Sequence, residues 1–143
     1  MGAQTQEVKK LFCDTLESYT HKAKLVAAAQ VYERCAISVS DDVPADMMVV
    51  VPQAANDLLS ISGVDASFVA VDTGNGINVS ARSMGDVNVQ VIMEQLGGGG
   101  HLTMAGAQLR DASLKETKQR LMDIIHEYRE NQRAEARGPK NRA

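Results

Sequence analysis

The fold is decided by residues 77–109, which read INVSARSMGDVNVQVIMEQLGGGGHLTMAGAQL. At the start of this stretch apolar and polar side chains alternate, as they do in a strand with one buried face. Apolar residues at helical spacing follow over 87–96, then four glycines, and then a second apolar run long enough for a strand. Two strands joined through a helix and a glycine loop predict a sheet with helices packed on it.

The segments on either side extend this pattern with further helices and strands. We predict one long helix, or two, over 6–30, then a strand over 32–40 and a helix over 53–61. A strand over 67–71 is predicted to form a hairpin with 77–82. A helix over 87–96 capped by Asp86, a strand over 102–109, and a last helix that begins with a Ser113–Glu116 capping box follow. The sequence therefore predicts one small α/β (α+β) domain, with a mixed sheet and flanking helices.

Composition and charge narrow the class of protein. Of the 143 residues, 44% are apolar and 23% are charged, which is typical of a globular domain. Two cysteines exclude a disulfide scaffold. A net charge of −3 and only three tyrosines, two phenylalanines and no tryptophan argue against a nucleic-acid binder held by charge and stacking. The polar start and the lack of a long apolar run lead us to expect a cytoplasmic protein.

The run Gly97-Gly98-Gly99-Gly100-His101 is the most unusual local feature. Glycines lack the Cβ that keeps a ligand from the main chain, so several N–H groups of such a run can converge on a phosphate or carboxylate. A flexible connector is the alternative. Arg82 lies at the exit of the predicted strand and shares a face with Asn78 and Ser80, opposite the apolar face. We therefore expect an anion site near the glycines and Arg82.

Four short motifs in this order carry a resemblance: VSARS at 79–83, GDVNV at 85–89, GGGGH at 97–101 and AGA at 105–107. Together they resemble the C-terminal DHH-associated domain of the DHH phosphoesterase family. The likeness is strongest to the GdpP-type cyclic di-AMP phosphodiesterases and covers residues from about 12 to 129. The usual Ala-Ala-Gly-Ala after the glycines begins here with Met104, a departure that we expect to affect packing only.

The resemblance implies a function and a set of binding residues. It implies the nucleotide-binding or phosphate-binding C-terminal domain of an enzyme that hydrolyses cyclic di-AMP to linear pApA. It also implies that seven residues line the cleft that holds the phosphate and nucleoside: Arg82, Ser83, Asn88, Gly98, Gly99, Gly100 and His101. Structural alternatives remain for three of them, since Arg82 can be a surface residue, Asn88 a helix cap, and His101 a residue that fixes the loop.

The family's Asp-His-His motif is absent, and so are the aspartates that bind two Mn²⁺ ions. The resemblance therefore implies that the Mn²⁺ ions and the catalytic residues belong to an N-terminal DHH domain of the same polypeptide, and that this chain binds no cofactor and is inactive alone. We expect 1–30 to be a helical connector or the tail of that domain, 31–131 the DHH-associated domain, and 132–143 a disordered basic tail. The resemblance implies a parent protein that is anchored to the membrane by an N-terminal segment absent from these residues.

Two other functions stay open. The chain resembles, less closely, the oligonucleotide-binding modules of RecJ-like exonucleases, nano-RNA exonucleases and alanyl-tRNA synthetases, whose partner is a short oligonucleotide. The amphipathic first helix also favours a dimerisation module, in which a second copy of the chain covers the apolar stripe.

Overall fold

The computed structural model describes residues 15–138 and shows six strands in one sheet, ordered β1-β2-β3-β4-β6-β5. The strands are β1 (Gln30–Tyr32), β2 (Cys35–Ser40), β3 (Ala66–Asp72), β4 (Ile77–Ser83), β5 (Gly99–Gly100) and β6 (Met104–Leu109); the helices are α1 (Leu16–Ala27), α2 (Val50–Leu59), α3 (Val89–Glu94) and α4 (Leu114–Arg137), with a 3₁₀ turn at Ala45–Met47. Strands β2 and β3 pair in parallel through α2, and every other neighbouring pair is antiparallel. The predicted mixed sheet with flanking helices is confirmed.

The sheet buries apolar side chains on both faces. One face packs its apolar residues, among them Phe68 and Val79, against α3 and α4. The other face packs Val69 and Val71 against α1 and α2. Two buried serines on this second face are satisfied by helix carbonyls, since Ser38 Oγ donates to Leu25 O and Ser67 Oγ donates to Ala55 O, each at 2.6 Å. The sheet is thus the middle of three layers.

The structure corrects the start of the chain. The first helix ends at Ala27, because Gln30–Tyr32 forms the edge strand β1, and its predicted residues 6–14, with Cys13, lie outside the described residues. The predicted strand over 32–40 is broken by a turn at Glu33 and Arg34, whose φ values are 49° and 65°. Two consecutive positive φ values are typical of a type I′ hairpin turn, a turn that Asn-Gly would ordinarily form, so the sequence carried no signal for it.

Three helix ends also differ from the prediction. Helix α2 begins at Val50, three residues early, since Pro52 fits in the first turn, where no N–H partner is lost. The cap of α3 is Asn88 and not Asp86. Helix α4 continues to Arg137 instead of fraying beyond about residue 131. No helix within residues 15–138 is both long enough and apolar enough to cross a membrane.

A cluster of ion pairs explains why α4 extends beyond its predicted end. Arg129 donates to Asp65 at 2.8 Å and to the backbone carbonyl of Glu33. The Glu33 carboxylate accepts from Arg133 at 2.9 Å and contacts His126 at 2.7 Å. These contacts fasten the strained turn between β1 and β2, and the residue that precedes β3, to the second half of α4.

We expect this cluster to make the domain sensitive to acid. Hydrogen bonds, chiefly those from Arg34, hold the pKa of Asp65 below its ordinary value, because they outweigh the burial that would raise it. Burial raises the pKa of Glu33, but hydrogen bonds from Arg133 and His126 lower it further, so that its net shift is also downward. A carboxyl whose pKa is depressed by folding stabilises the native state above its unfolded pKa, and this stability is lost as the pH falls through the folded value. The free energy of unfolding, measured by urea titration, should therefore decline as the pH falls below about 4.5, and less steeply in Glu33→Gln; an identical decline in that variant would contradict the assignment.

Candidate substrate-binding cleft

The glycine run forms part of the sheet, and most of its amides are used by the fold. Gly97 N–H donates to Glu94 O at 3.1 Å, Gly98 N–H to Met93 O at 2.8 Å, and His101 N–H to Met104 O at 2.7 Å. Gly99 and Gly100 form β5 and pair with Gly106 and Ala105 of β6. The predicted convergence of several free amides on one anion is therefore wrong, because four of the five amides, all but that of Gly100, donate to carbonyls.

The register of β5 separates the roles of its glycines. Because hydrogen-bonded pairs alternate along an antiparallel ladder, the bond from His101 to Met104 makes Gly99–Gly106 a hydrogen-bonded pair and leaves the N–H of Gly100 directed away from β6. A Cβ at Gly98 would lie 2.0 Å from Gly106 O, and one at Gly100 would lie 2.5 Å from Met104 O. A Cβ at Gly99 would meet nothing within 4 Å. Gly98 and Gly100 are thus needed for packing, and Gly99 opens onto free space.

Three rows of paired residues form the surface next to this strand. Directly opposed residues of neighbouring strands share a face. The middle row is Ser80, Gly106 and Gly99, of which two have no side chain. One flanking row pairs Asn78 with Gln108, and the other pairs Arg82 with Met104. The result is a bare backbone floor between a row of carboxamides and a row that contains the guanidinium.

Arg82 is the charged side chain of this floor and is only partly satisfied. Its Nη1 donates to the carbonyl of Ala81 at 2.8 Å, whereas its Nε is buried and has no hydrogen-bond partner. Burial lowers the pKa of the guanidinium. A buried charged donor without an acceptor is costly, and such a group calls for an explanation such as a ligand. The prediction that Arg82 shares a face with Asn78 and Ser80 agrees with the burial pattern of β4.

The other predicted site residues are not all brought to this floor. The Ser83 hydroxyl is buried and donates to Val87 O at 2.6 Å, so it holds the loop after β4. The Asn88 side chain accepts from the N–H groups of Gln90 and Val91 as the cap of α3, which is the structural role left open above. The His101 side chain is exposed at the turn between β5 and β6, next in the row beyond Met104.

Most of the concave surface was not predicted from the sequence. A cavity of about 630 Å³ lies over β4 and β6, with the start of α2 as its wall. Its lining residues are Met48, Val51, Pro52, Asn78, Val79, Ser80, Gly97, Gly98, Gly106, Ala107, Gln108 and Arg110. The alternation of β4 already indicated that Asn78 and Ser80 face the site, but Gln108 and Arg110 are placed there only by the register of β6. Met104 is 53% exposed, so its presence affects the surface and not, as expected, packing only.

Across residues 15–138 no group of three or more histidine, cysteine, aspartate or glutamate side chains could hold a metal ion. The Mn²⁺ ions implied by the resemblance therefore do not fit these residues. The floor presents the guanidinium of Arg82, one row away from the cavity lining, and backbone without side chains at Gly99 and Gly106.

A known domain family matches the part of the chain that forms this cleft. The model of the DHHA1 domain family matches residues 34–131. The chain belongs to the DHHA1 family. The match contains β2 to β6 and most of α4, and therefore the whole floor of the cleft.

Curated relatives of this DHHA1 domain include two cyclic-di-AMP phosphodiesterases. GdpP of Geobacillus thermodenitrificans is 48% identical over 129 residues, which is 89% of this chain and 20% of the relative. PdeA of Listeria monocytogenes is 38% identical over 130 residues, which is 90% of this chain and again 20% of the relative. The chain thus spans about a fifth of the length of these relatives.

A solved structure supports the fold independently. An exopolyphosphatase-related protein from Bacteroides fragilis superposes with a TM-score of 0.74 at 16% identity, covering 92% of this chain and 41% of the other. Identity at that level shows a shared architecture and leaves the function open. The fold and the family are therefore fixed by two different comparisons.

Proposed function

We propose that this DHHA1 domain binds the substrate of a DHH-family phosphodiesterase, and that the substrate is cyclic di-AMP. The observation that carries the proposal is the buried, unpartnered Nε of Arg82 beside a floor of bare backbone. The printed names of relatives at 48% and 38% identity supply the substrate class. In this function the domain holds and orients the phosphodiester, and the bond is broken by groups outside it.

The chemistry of Arg82 suits a phosphate ligand. Since Nη1 is engaged with its neighbour's carbonyl, the guanidinium keeps Nε–H and the adjoining Nη2–H for an acceptor. This pair of parallel donors matches two oxygens of one phosphate. Gly99 and Gly106 next to it place no side chain in the way, so a phosphodiester can approach the sheet closely. Ser83 and Asn88 support the loop and the helix that border the site.

Titration calorimetry of the chain with cyclic di-AMP tests this function. Removing a charge-assisted pair of hydrogen bonds costs about 1.5–3 kcal/mol, so Arg82→Ala should raise the Kd by roughly tenfold to a hundredfold. Arg137→Ala is the matched control, because that arginine is exposed at the end of α4. It should leave the Kd unchanged. Equal binding by wild type and Arg82→Ala, or no binding by the wild type at millimolar ligand, would refute the proposal.

A further inference from the structure

The cavity over β4 and β6 combines an apolar wall with a polar edge. Met48, Val51 and Pro52 form the wall, at the start of α2. Gly98 and Gly106 form the floor and contribute only backbone. A volume of about 630 Å³ is typical of a small-molecule pocket, which usually has apolar walls and a few placed polar groups.

Two carboxamides, together with Arg110, provide the polar edge. Asn78 and Gln108 are directly opposed in the register of β4 and β6, so their side chains stand next to each other on the same face. Neither side-chain amide makes a hydrogen bond within residues 15–138, and both also line an adjoining cavity of about 310 Å³. Two neighbouring carboxamides at a cavity wall, with no partner in the fold, are available to a ligand.

The chemistry of these groups matches one part of a nucleotide. A carboxamide presents a donor and an acceptor side by side, which is the pattern that asparagine and glutamine use to bind the N6 and N7 positions of adenine. The apolar wall of Met48 and Pro52 suits a flat ring, whereas a phosphate would gain nothing from it. We propose that Asn78 and Gln108 read the edge of the adenine base of the substrate, held between the α2 wall and the glycine floor.

This proposal rests on the proposed function and gives the ligand a direction. Arg82 and Asn78 lie on the same face of β4, four residues or about 13 Å apart along the strand. Ser80 and the glycine row lie between them. A nucleotide has its phosphate at one end and its base at the other, so the phosphate lies at Arg82, the sugar over the glycines, and the base at the carboxamides.

Binding specificity separates the two sites. The 143-residue chain is titrated with cyclic di-AMP and with cyclic di-GMP, in the wild type, Asn78→Ala/Gln108→Ala, Arg82→Ala and the control Gln119→Ala, whose carboxamide lies on exposed α4. A good bidentate contact discriminates between bases by about tenfold or more. We expect that preference for the adenine ligand in the wild type and the control, and a preference of about twofold or less in the double variant. Arg82→Ala should weaken binding of both ligands while keeping their ratio.

A second measurement needs no substitution. The side-chain NH₂ resonances of Asn78 and Gln108 should shift when adenosine 5′-monophosphate is added to the wild-type chain, and should not shift with ribose 5-phosphate. If the double variant keeps its preference, or if ribose 5-phosphate alone moves these resonances, the base is not read here and this inference is overturned, while an effect of Arg82→Ala would still support the proposed function. If the wild type binds neither dinucleotide, the proposed function itself fails.

Discussion

Gly98→Ala should strongly reduce the thermal stability of the domain. The new Cβ would lie 2.0 Å from Gly106 O and 2.7 Å from Ala107 Cβ, and the first of these contacts is with backbone that is fixed in the ladder of β4 and β6. Since no flexible side chain can move aside, β5 must separate from β6. Overpacking against rigid backbone costs about 3 kcal/mol or more, which lowers the Tm by roughly 10 °C in a domain of this size.

Gly100→Ala tests the packing of the same strand at a second position, where the backbone conformation also disfavours a side chain. Its Cβ would lie 2.5 Å from Met104 O, and its φ of 144° is one that alanine rarely adopts. Gly99→Ala is the matched control, because its Cβ meets nothing within 4 Å and its φ is not positive. Thermal denaturation followed by circular dichroism should show a large decrease in Tm for Gly98→Ala and Gly100→Ala and a small decrease for Gly99→Ala. Equal Tm values for Gly98→Ala and Gly99→Ala would contradict the assigned packing.

Arg129→Met should produce the second large loss of stability. The Arg129 side chain is 12% exposed and its partner Asp65 is 19% exposed, so the pair is largely removed from water. Methionine keeps much of the aliphatic length but leaves the Asp65 carboxylate with Arg34 alone and the Glu33 carbonyl without this donor. Removing one partner of a buried pair costs about 3–5 kcal/mol; the partial exposure and the remaining Arg34 reduce this to about 2–3 kcal/mol.

Chemical denaturation with urea measures this loss directly. Arg34→Met is the control, because that arginine is 65% exposed and its pair with Asp65 should contribute about 1 kcal/mol or less. The Glu33–Arg34 turn should also become accessible to protease in Arg129→Met, since α4 no longer fastens it. If the free energy of unfolding of Arg129→Met lies within 0.5 kcal/mol of the wild type, the cluster is not what holds α4 to the sheet.

The secondary structure was largely predictable because its signals are local. The alternation of Ile77, Val79 and Ala81 fixed β4 and its polar face, and the capping box of Ser113 and Glu116 fixed the start of α4. The turn at Glu33 and Arg34 was not predictable, since neither residue favours a positive φ. Contacts with α4, distant in sequence, stabilise that turn.

The candidate site was predictable in part. The alternation of β4 placed Arg82, Asn78 and Ser80 on one open face, and the structure agrees. The role of the glycine run was predicted wrongly. The number of free N–H groups depends on whether the run pairs with a strand, and the sequence does not reveal this pairing. Gln108 could not be placed without knowing its register against Asn78. Binding by Arg82, His101 and the glycines stays a prediction.

The strand order has a consequence for how this surface can change. All three rows of the cleft floor come from the contiguous stretch 78–108, in which β4, β5 and β6 are neighbours in the sheet. The wall at Met48 and Pro52 comes from an earlier and separate part of the chain. Insertions or deletions in the first half of the sequence can therefore reshape the mouth of the pocket while every register of its base stays the same.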